Sequence, residues 1–393
     1  MKSMDAGSSA ANQLRRILLS VFFASSGVAT VYLIPAFAEQ LGASYLELGF
    51  IGTIRSVPYA FLPVIVGYLG DRFNRRGLYL SSIFVAGVAT LLLSATQTIE
   101  GIVLVQVLLG IGFSLFWPLS EALVSESVPL KDRTGVMGLY AVAWGSGFLV
   151  GPLVGGLIAE AAGFHITFLV AGVLVLMTAG GSVAAIRGMG KRERRRVDAP
   201  VQPEWKLVSH LLPMLMVQIP YGIVFAFFVS IFPGYASQAG LTPFEVGVLA
   251  SGFGLARIVM FSLSGRLGRI GERRSVIFAS VGLAISLSLL PINRGFLALL
   301  GVSCLLGTFI GIIYPQTLGF ISKQSPSANL GFAIGLYETI FGIGFVAGPI
   351  ISGFVAQAMG LAIACLVLAV VALSIVPLVS FSRPLAINGL RRV

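Results

Sequence analysis

Gly67-Tyr68-Leu69-Gly70-Asp71-Arg72-Phe73-Asn74-Arg75-Arg76 is a short, glycine-rich, basic stretch with long apolar runs on either side. A second version stands 198 residues further on, Gly265-Arg266-Leu267-Gly268-Arg269-Ile270-Gly271-Glu272-Arg273-Arg274, and it too separates apolar runs. A helix that crosses a bilayer needs about 20 mostly apolar residues. Runs of that length recur from Ile17–Ala38 to Leu361–Phe381, roughly six before residue 190 and six after residue 207. The two basic stretches are therefore turns at which the chain leaves an apolar medium and re-enters it.

Composition agrees. Of 393 residues 56% are hydrophobic and only 10% charged, where a water-soluble surface takes roughly 25% charged residues. Lipid is the solvent for most of the chain. The runs show no strand alternation, and backbone groups in hydrocarbon must be satisfied inside each segment, so the fold class is all-α with twelve transmembrane helices rather than a barrel. Arg15, Arg16 and the Ala36-Phe37-Ala38 triplet imitate a signal peptide with its cleavage site. The long apolar stretch argues against cleavage, which would also remove one member of the repeat described next. Cys304 and Cys365 both lie in apolar runs and read as buried thiols.

The repeat extends beyond the two basic turns. Gly49 is matched by Gly247 at the same 198-residue spacing; Pro118 by Pro315, Gly138-Leu139-Tyr140 by Gly335-Leu336-Tyr337, and Gly151-Pro152 by Gly348-Pro349 all follow at 197. Two six-helix bundles of like orientation are expected, 1–190 and 208–393, joined by a polar linker at 191–207 that holds Lys191-Arg192-Glu193-Arg194-Arg195-Arg196, Pro200 and Pro203. Such a parallel repeat places a substrate site between the halves near the midplane. The net charge of +11 would suggest nucleic acid in a soluble protein. Here its distribution matters more: with Arg55 and Arg257 inside helices and Arg294 outside, the other 23 Lys and Arg fall on one side. The positive-inside rule makes that side, and both termini, cytoplasmic in the cell membrane. The linker's basic run is first a topology anchor; contact with anionic headgroups is its second reading.

Gly67 to Arg76 resembles the signature loop of the major facilitator superfamily: glycine, any, leucine, any, aspartate, arginine, then a basic pair. The resemblance covers nearly the whole chain and implies two six-helix bundles rocking about a central site. It also implies a cytoplasmic latch built from Gly67, Asp71, Arg72, Arg75 and Arg76, with Arg133 as a candidate partner for the acid. The second copy carries Arg269 where Asp71 stands, which implies a different latch there. Gly147, Gly151, Pro152, Gly155 and Gly156 resemble the motif of the superfamily's proton-coupled efflux branch, and Gly344 to Gly353 repeats it with Ser352 in place of one glycine. Glycines four apart also suit plain helix packing. Efflux members carry an arginine four residues before a glycine of the fourth helix, where this chain has Gln106, four before Gly110, which can hydrogen-bond but holds no charge.

Ionisable groups inside a membrane are costly and are functional candidates by default. Arg257 lies 8 residues before Gly265 and Glu338 lies 7 after Gly331. At about 1.5 Å per residue both sit roughly 10 to 12 Å from the boundary, level enough to form an ion pair, structural or proton-carrying. Their repeat counterparts are Tyr59 and Ala141, so the duplication demands neither charge. Arg55 is deeper and faces either an anionic substrate or a backbone carbonyl. Glu121 carries a proton or pairs with a loop arginine. In the resembled fold the first, fourth, seventh and tenth helices line the cavity, which nominates Tyr32, Phe113, Trp117, Gln218, Tyr221, Phe225 and Tyr314. Trp117-Pro118 and Tyr314-Pro315 are counterparts beside expected kinks, and aromatic faces suit amphiphilic or cationic ligands.

The function expected is proton-coupled efflux of small amphiphilic compounds by a monomer, without cofactor or metal. A second reading is uniport or proton symport of an organic anion or other metabolite through Arg55 and Arg257. A third is a membrane sensor without transport. No nucleotide loop, zinc-ligand pair or serine and histidine arrangement supports an enzyme, since His165 and His210 sit near membrane boundaries.

Overall fold

The computed structural model describes the backbone of residues 2–72, 74–127, 133–187, 205–325 and 330–381. The side chains of Gly67 to Arg72 and of Arg133 lie outside the described residues, as do Lys131 and residues 191–204 of the expected linker. The apolar runs are helical, because an amide in hydrocarbon must find its partner within its own segment. The first crossing is α1 (Lys2–Val28), a 3-10 turn (Ala29–Leu33) and α2 (Ile34–Gln40). Then come α3 (Tyr45–Arg72), α4 (Arg75–Leu93), α5 (Ile99–Glu126), α6 (Arg133–Ala162) and α7 (Phe164–Arg187). The seventh crossing is α8 (Trp205–Met216), α9 (Gln218–Ser230) and α10 (Phe232–Gln238), with α8 beginning inside the stretch read as linker. α11 (Pro243–Ile270), α12 (Glu272–Leu289), α13 (Phe296–Gln324) and α14 (Leu330–Met359) follow. The last crossing is α15 (Leu361–Leu373) with α16 (Ile375–Phe381).

Eleven crossings are long and apolar enough over the described residues alone, and α3, with 28 residues, supplies the twelfth. Their outward faces are greasy: Leu104 and Met177 are 71% exposed and Leu297 is 78% exposed. Water would not tolerate that surface; lipid does.

Proline decides where helices break. α2 and α10 each restart with a proline in the first turn, Pro35 and Pro233, where its missing N–H costs nothing. The two prolines are 198 residues apart, so the first and seventh crossings break at equivalent places. Pro118, Pro152, Pro315 and Pro349 instead lie inside α5, α6, α13 and α14, which run on through them.

Within the first half α1 packs on α6 and α7, α3 on α5, and α4 on both α5 and α7. The second half repeats this with α9 on α14, α11 on α13, and α12 on α13 and α15. The duplicated Gly-Leu-Tyr block has a purpose in this packing. Tyr140 and the Ser120 hydroxyl share a hydrogen bond of 2.8 Å between α6 and α5, and their counterparts Tyr337 and Thr317 share one of 3.0 Å between α14 and α13.

Between halves, α3 lies along α14 and α6 along α11. A Cβ on Gly49 would come 2.4 Å from the Pro349 carbonyl oxygen, and one on its counterpart Gly247 would come 2.3 Å from that of Pro152. Gly353 and Gly156 stand in the same relation to the carbonyl oxygens of Tyr45 (2.5 Å) and Pro243 (2.6 Å). Glu39 accepts a hydrogen bond of 2.7 Å from the hydroxyl of its own counterpart, Ser237, so the pseudo-twofold axis passes between them. All these contacts lie toward the face opposite the basic turns. Toward the basic face, Gly138, Gly265 and Gly335 on α6, α11 and α14 have nothing among the described residues within 4 Å of an added Cβ. The halves are therefore sealed at one face and part toward the other.

Any side chain at Gly247 must push α6 away from α11. With Cys304 and Cys365 replaced by alanine and a cysteine placed at Ser237, Gly247→Val is expected to raise that thiol's reactivity toward a water-soluble maleimide several-fold. Gly265→Val should leave it unchanged. Equal reactivity in the three proteins would show that the glycine contact does not hold the seal.

Candidate functional site

The cavity starts where the seal ends. Its wall is a chain of rings that crosses from one half to the other. On α5, Trp117 meets Trp144 at 5.8 Å and Phe148 at 5.9 Å, both on α6. Trp144 reaches Phe261 of α11 at 6.4 Å, and Phe261 reaches Tyr314 of α13 at 5.9 Å. Tyr314 continues to Tyr221 of α9 at 6.4 Å; Tyr221, expected to line the cavity, is fully buried behind it and touches Phe341 of α14 at 5.7 Å. Phe341 closes the circuit on Tyr59 of α3 at 6.5 Å. The counterparts Trp117 and Tyr314 thus belong to one aromatic lining, joined through Trp144 and Phe261.

Three charged groups stand in this lining. The Arg257 guanidinium lies over three rings, 4.9 Å from the centroid of Phe225, 5.1 Å from Phe261 and 5.5 Å from Trp144. Such contacts contribute about 0.5–1 kcal/mol each when exposed and about 2 kcal/mol or more when desolvated. Glu338 accepts a hydrogen bond of 3.3 Å from the Tyr314 hydroxyl. Glu121, one helical turn beyond Trp117 on α5, is exposed. It lies within Coulombic reach of Glu338 on the other half. Tyr59 and Tyr221 each feel both Glu338 and Arg257. A small recess between α6 and α11, lined by Tyr32, Trp144, Phe148, Arg257 and Phe261 among others, opens beside the guanidinium.

The rings and charges of both halves thus meet in the membrane interior, and comparison with known proteins identifies their setting. The family model of the Major Facilitator Superfamily matches residues 17–232 and again 214–388. This chain belongs to the Major Facilitator Superfamily. It is a non-enzymatic transporter and a multi-pass membrane protein. Multidrug resistance protein MdtG of Klebsiella pneumoniae is 28% identical over 374 residues, 90% of this chain and 89% of that protein. Multidrug resistance protein 2 of Bacillus subtilis is 22% identical over 349 residues, 86% of this chain and 87% of that protein. Among solved structures, the nucleoside transporter NupG superposes with a TM-score of 0.76 at 12% identity, covering 94% of this chain and 99% of that one. The superfamily and its efflux-type branch, inferred from Gly67 to Arg76 and Gly147 to Gly156, are supported by these matches.

Several site residues stand elsewhere than the sequence suggested. Arg257 and Glu338 form no ion pair within 4.0 Å; among the described residues Arg257 has no hydrogen-bond or ionic partner, and Glu338 is turned to Tyr314. Equal depth was not enough, because the two side chains meet different neighbours around their helices. Arg55 does not line the open cavity. It is 5% exposed and donates a hydrogen bond of 3.3 Å to the Ser230 hydroxyl of the other half, while Gly110 closes on its carbonyl oxygen. Glu121 has no ion pair among the described residues. Gln106 is fully buried, with neither amide atom partnered among the described residues, and it is not part of the ring circuit. Gln218 donates to Thr317 at 3.1 Å, and Tyr32 is buried against Phe148 and Phe228.

The glycine motif divides its labour. Gly147 and Gly151 press on the backbone of α1 around Phe22 and Ser26. Gly155 meets Leu33, Thr30 and Thr167, while Gly156 and the Pro152 carbonyl form the seal with α11.

Trp144, Phe148, Phe261, Phe341 and Phe345 were missed, because they lie on helices that the resemblance does not count as cavity-lining. A signal was present, since Trp144 and Phe341, like Phe148 and Phe345, are aromatic pairs 197 residues apart.

Ser230→Ala leaves the buried Arg55 guanidinium without its hydroxyl. The expected cost is about 1–3 kcal/mol, visible as a lower thermal unfolding midpoint of the detergent-solubilised protein. An unchanged midpoint would show that the hydrogen bond contributes nothing to joining the halves.

Proposed function

We propose that the protein is a secondary active transporter that exports small amphiphilic compounds across the cell membrane in exchange for protons. The observation that carries this reading is Glu338, held by the Tyr314 hydroxyl inside an aromatic lining, with a second carboxylate, Glu121, one turn beyond Trp117 on the other half. Two negative charges in such a place are best satisfied by a cation between them, either a proton or the charged end of a solute. The same site holding one or the other at a time is the logic of exchange. The rings around it would carry the apolar body of the solute. The efflux names of the relatives support the direction of transport.

Conformational change follows from the two bundles, 1–190 and 208–393, rocking as units. With the basic face cytoplasmic, as the distribution of Lys and Arg favours, the site is loaded from the cytoplasm while the glycine seal is shut. Opening the seal and closing the basic face would present the solute outside, where protons displace it. Asp71, Arg72, Arg75, Arg76 and Arg133 would latch the basic face in that second state, with the glycine run of α6 holding the first. A single chain carries both halves and has no need of a second copy.

The test uses proteoliposomes with an imposed pH gradient, following internal pH as amphiphilic cations, neutral amphiphiles and organic anions are added in turn. Wild type is expected to discharge the gradient with at least one amphiphile, and Glu338→Gln to lose most of that discharge. Solute movement without proton flux in the wild type would contradict the coupling.

A further inference from the structure

The charges of the cavity match neither a simple cation nor a simple anion. A cation meeting Glu121 and Glu338 must tolerate Arg257; an anion meeting Arg257 must tolerate two carboxylates. Arg257 is the unusual member. Three ring faces hold its guanidinium, Nε is buried without a partner, and no carboxylate lies within ion-pair distance among the described residues. Rings under the plane of a guanidinium leave its N–H edge for an acceptor in that plane, the geometry that suits a carboxylate or a sulfonate. The repeat offers no structural reason for the charge, because the counterpart of Arg257 is Tyr59. Glu338 accepts a hydrogen bond from the Tyr314 hydroxyl, Tyr314 stands 5.9 Å from Phe261, and Phe261 lies 5.1 Å from the Arg257 guanidinium. An acid and a base are thus separated by aromatic rings within one cavity.

We propose that this cavity takes zwitterionic aromatic molecules, with the anionic group on the Arg257 edge, the ring system along Phe261 and Tyr314, and the cationic end toward Glu338. The inference rests on the reading of the central cavity as the transport site. Arg257 is then a specificity-determining residue, and the single-charge classes become poorer ligands than a molecule that carries both charges.

The test compares three probes on the purified full-length protein in nanodiscs by calorimetry: an aminomethyl-biphenyl-carboxylic acid, its methyl ester and its N-acetyl derivative. These carry both charges, only the positive one and only the negative one. Wild type is expected to bind the zwitterion at least about tenfold more tightly than either derivative, the scale of one charge-assisted hydrogen bond. Arg257→Gln should reduce zwitterion affinity to that of the ester while leaving the ester as tight or tighter. Arg257→Lys should recover part of the preference, and Glu338→Gln should remove the preference over the N-acetyl derivative. An ester that binds the wild type as tightly as the zwitterion overturns the inference and leaves the amphiphile reading standing. Failure of all three to bind overturns both. A uniform loss across the probes in Arg257→Gln makes Arg257 architectural and also overturns the inference.

Discussion

Four glycines meeting four carbonyl oxygens set the form of this transporter. Gly49 against Pro349, Gly247 against Pro152, Gly353 against Tyr45 and Gly156 against Pro243 bring α3 to α14 and α6 to α11 at distances that leave no room for a side chain. Because the partners are counterparts in the repeat, the two interfaces are copies of one another about an axis that runs between Glu39 and Ser237. Close backbone approach without side chains gains dispersion contact and excludes solvent. It has no interlocking knobs to disengage, so such an interface can part as a unit. Three of these helices, α6, α11 and α14, carry glycines toward the basic face with no described neighbour within 4 Å of an added Cβ. One half of each helix is in contact while the other half is ready for it.

The charged side chains of the membrane interior depart from that symmetry. Arg55 is matched by Phe253, Arg257 by Tyr59, Glu338 by Ala141 and Glu121 by Leu318. The repeat supplies the frame, and each of these charges stands in one half alone. Arg55 joins the halves at the inner end of the seal through Ser230. Arg257, Glu338 and Glu121 stand beyond it, among rings contributed by both halves, so that any rocking movement changes their mutual distances. A site shared in this way couples what is bound to which face is open, since the bound species interacts differently with the two arrangements.

Much of this was legible in the sequence. The spans, the duplication, the basic turns and the glycine run all follow from apolar length, spacing and composition. These are one-dimensional properties that a helix carries with it. Depth was also legible, because rise per residue is fixed. What sequence could not supply was azimuth. Arg257 and Glu338 were placed level and expected to pair, yet one faces Trp144, Phe225 and Phe261 and the other Tyr314. For the same reason Arg55, read as facing either an anionic substrate or a backbone carbonyl, is instead buried on the Ser230 hydroxyl. Trp144 and Phe341 escaped notice because their helices were read as packing elements, though each lies exactly where the seal gives way to the cavity. The breaks before Pro35 and Pro233 could have been found, since both prolines fall at the repeat spacing.

The central claim is that the seal and the basic face open in alternation around one site. It is tested by distances between spin labels in nanodiscs, with one pair at Gln97 and Arg294 on the sealed face and another at Asn12 and Arg266 on the basic face. Shifting pH and adding a transported amphiphile should lengthen the first distance as the second shortens, with the two populations changing together. If both distances stay fixed while transport proceeds, or both lengthen at once, the glycine seal is a static interface and the account fails.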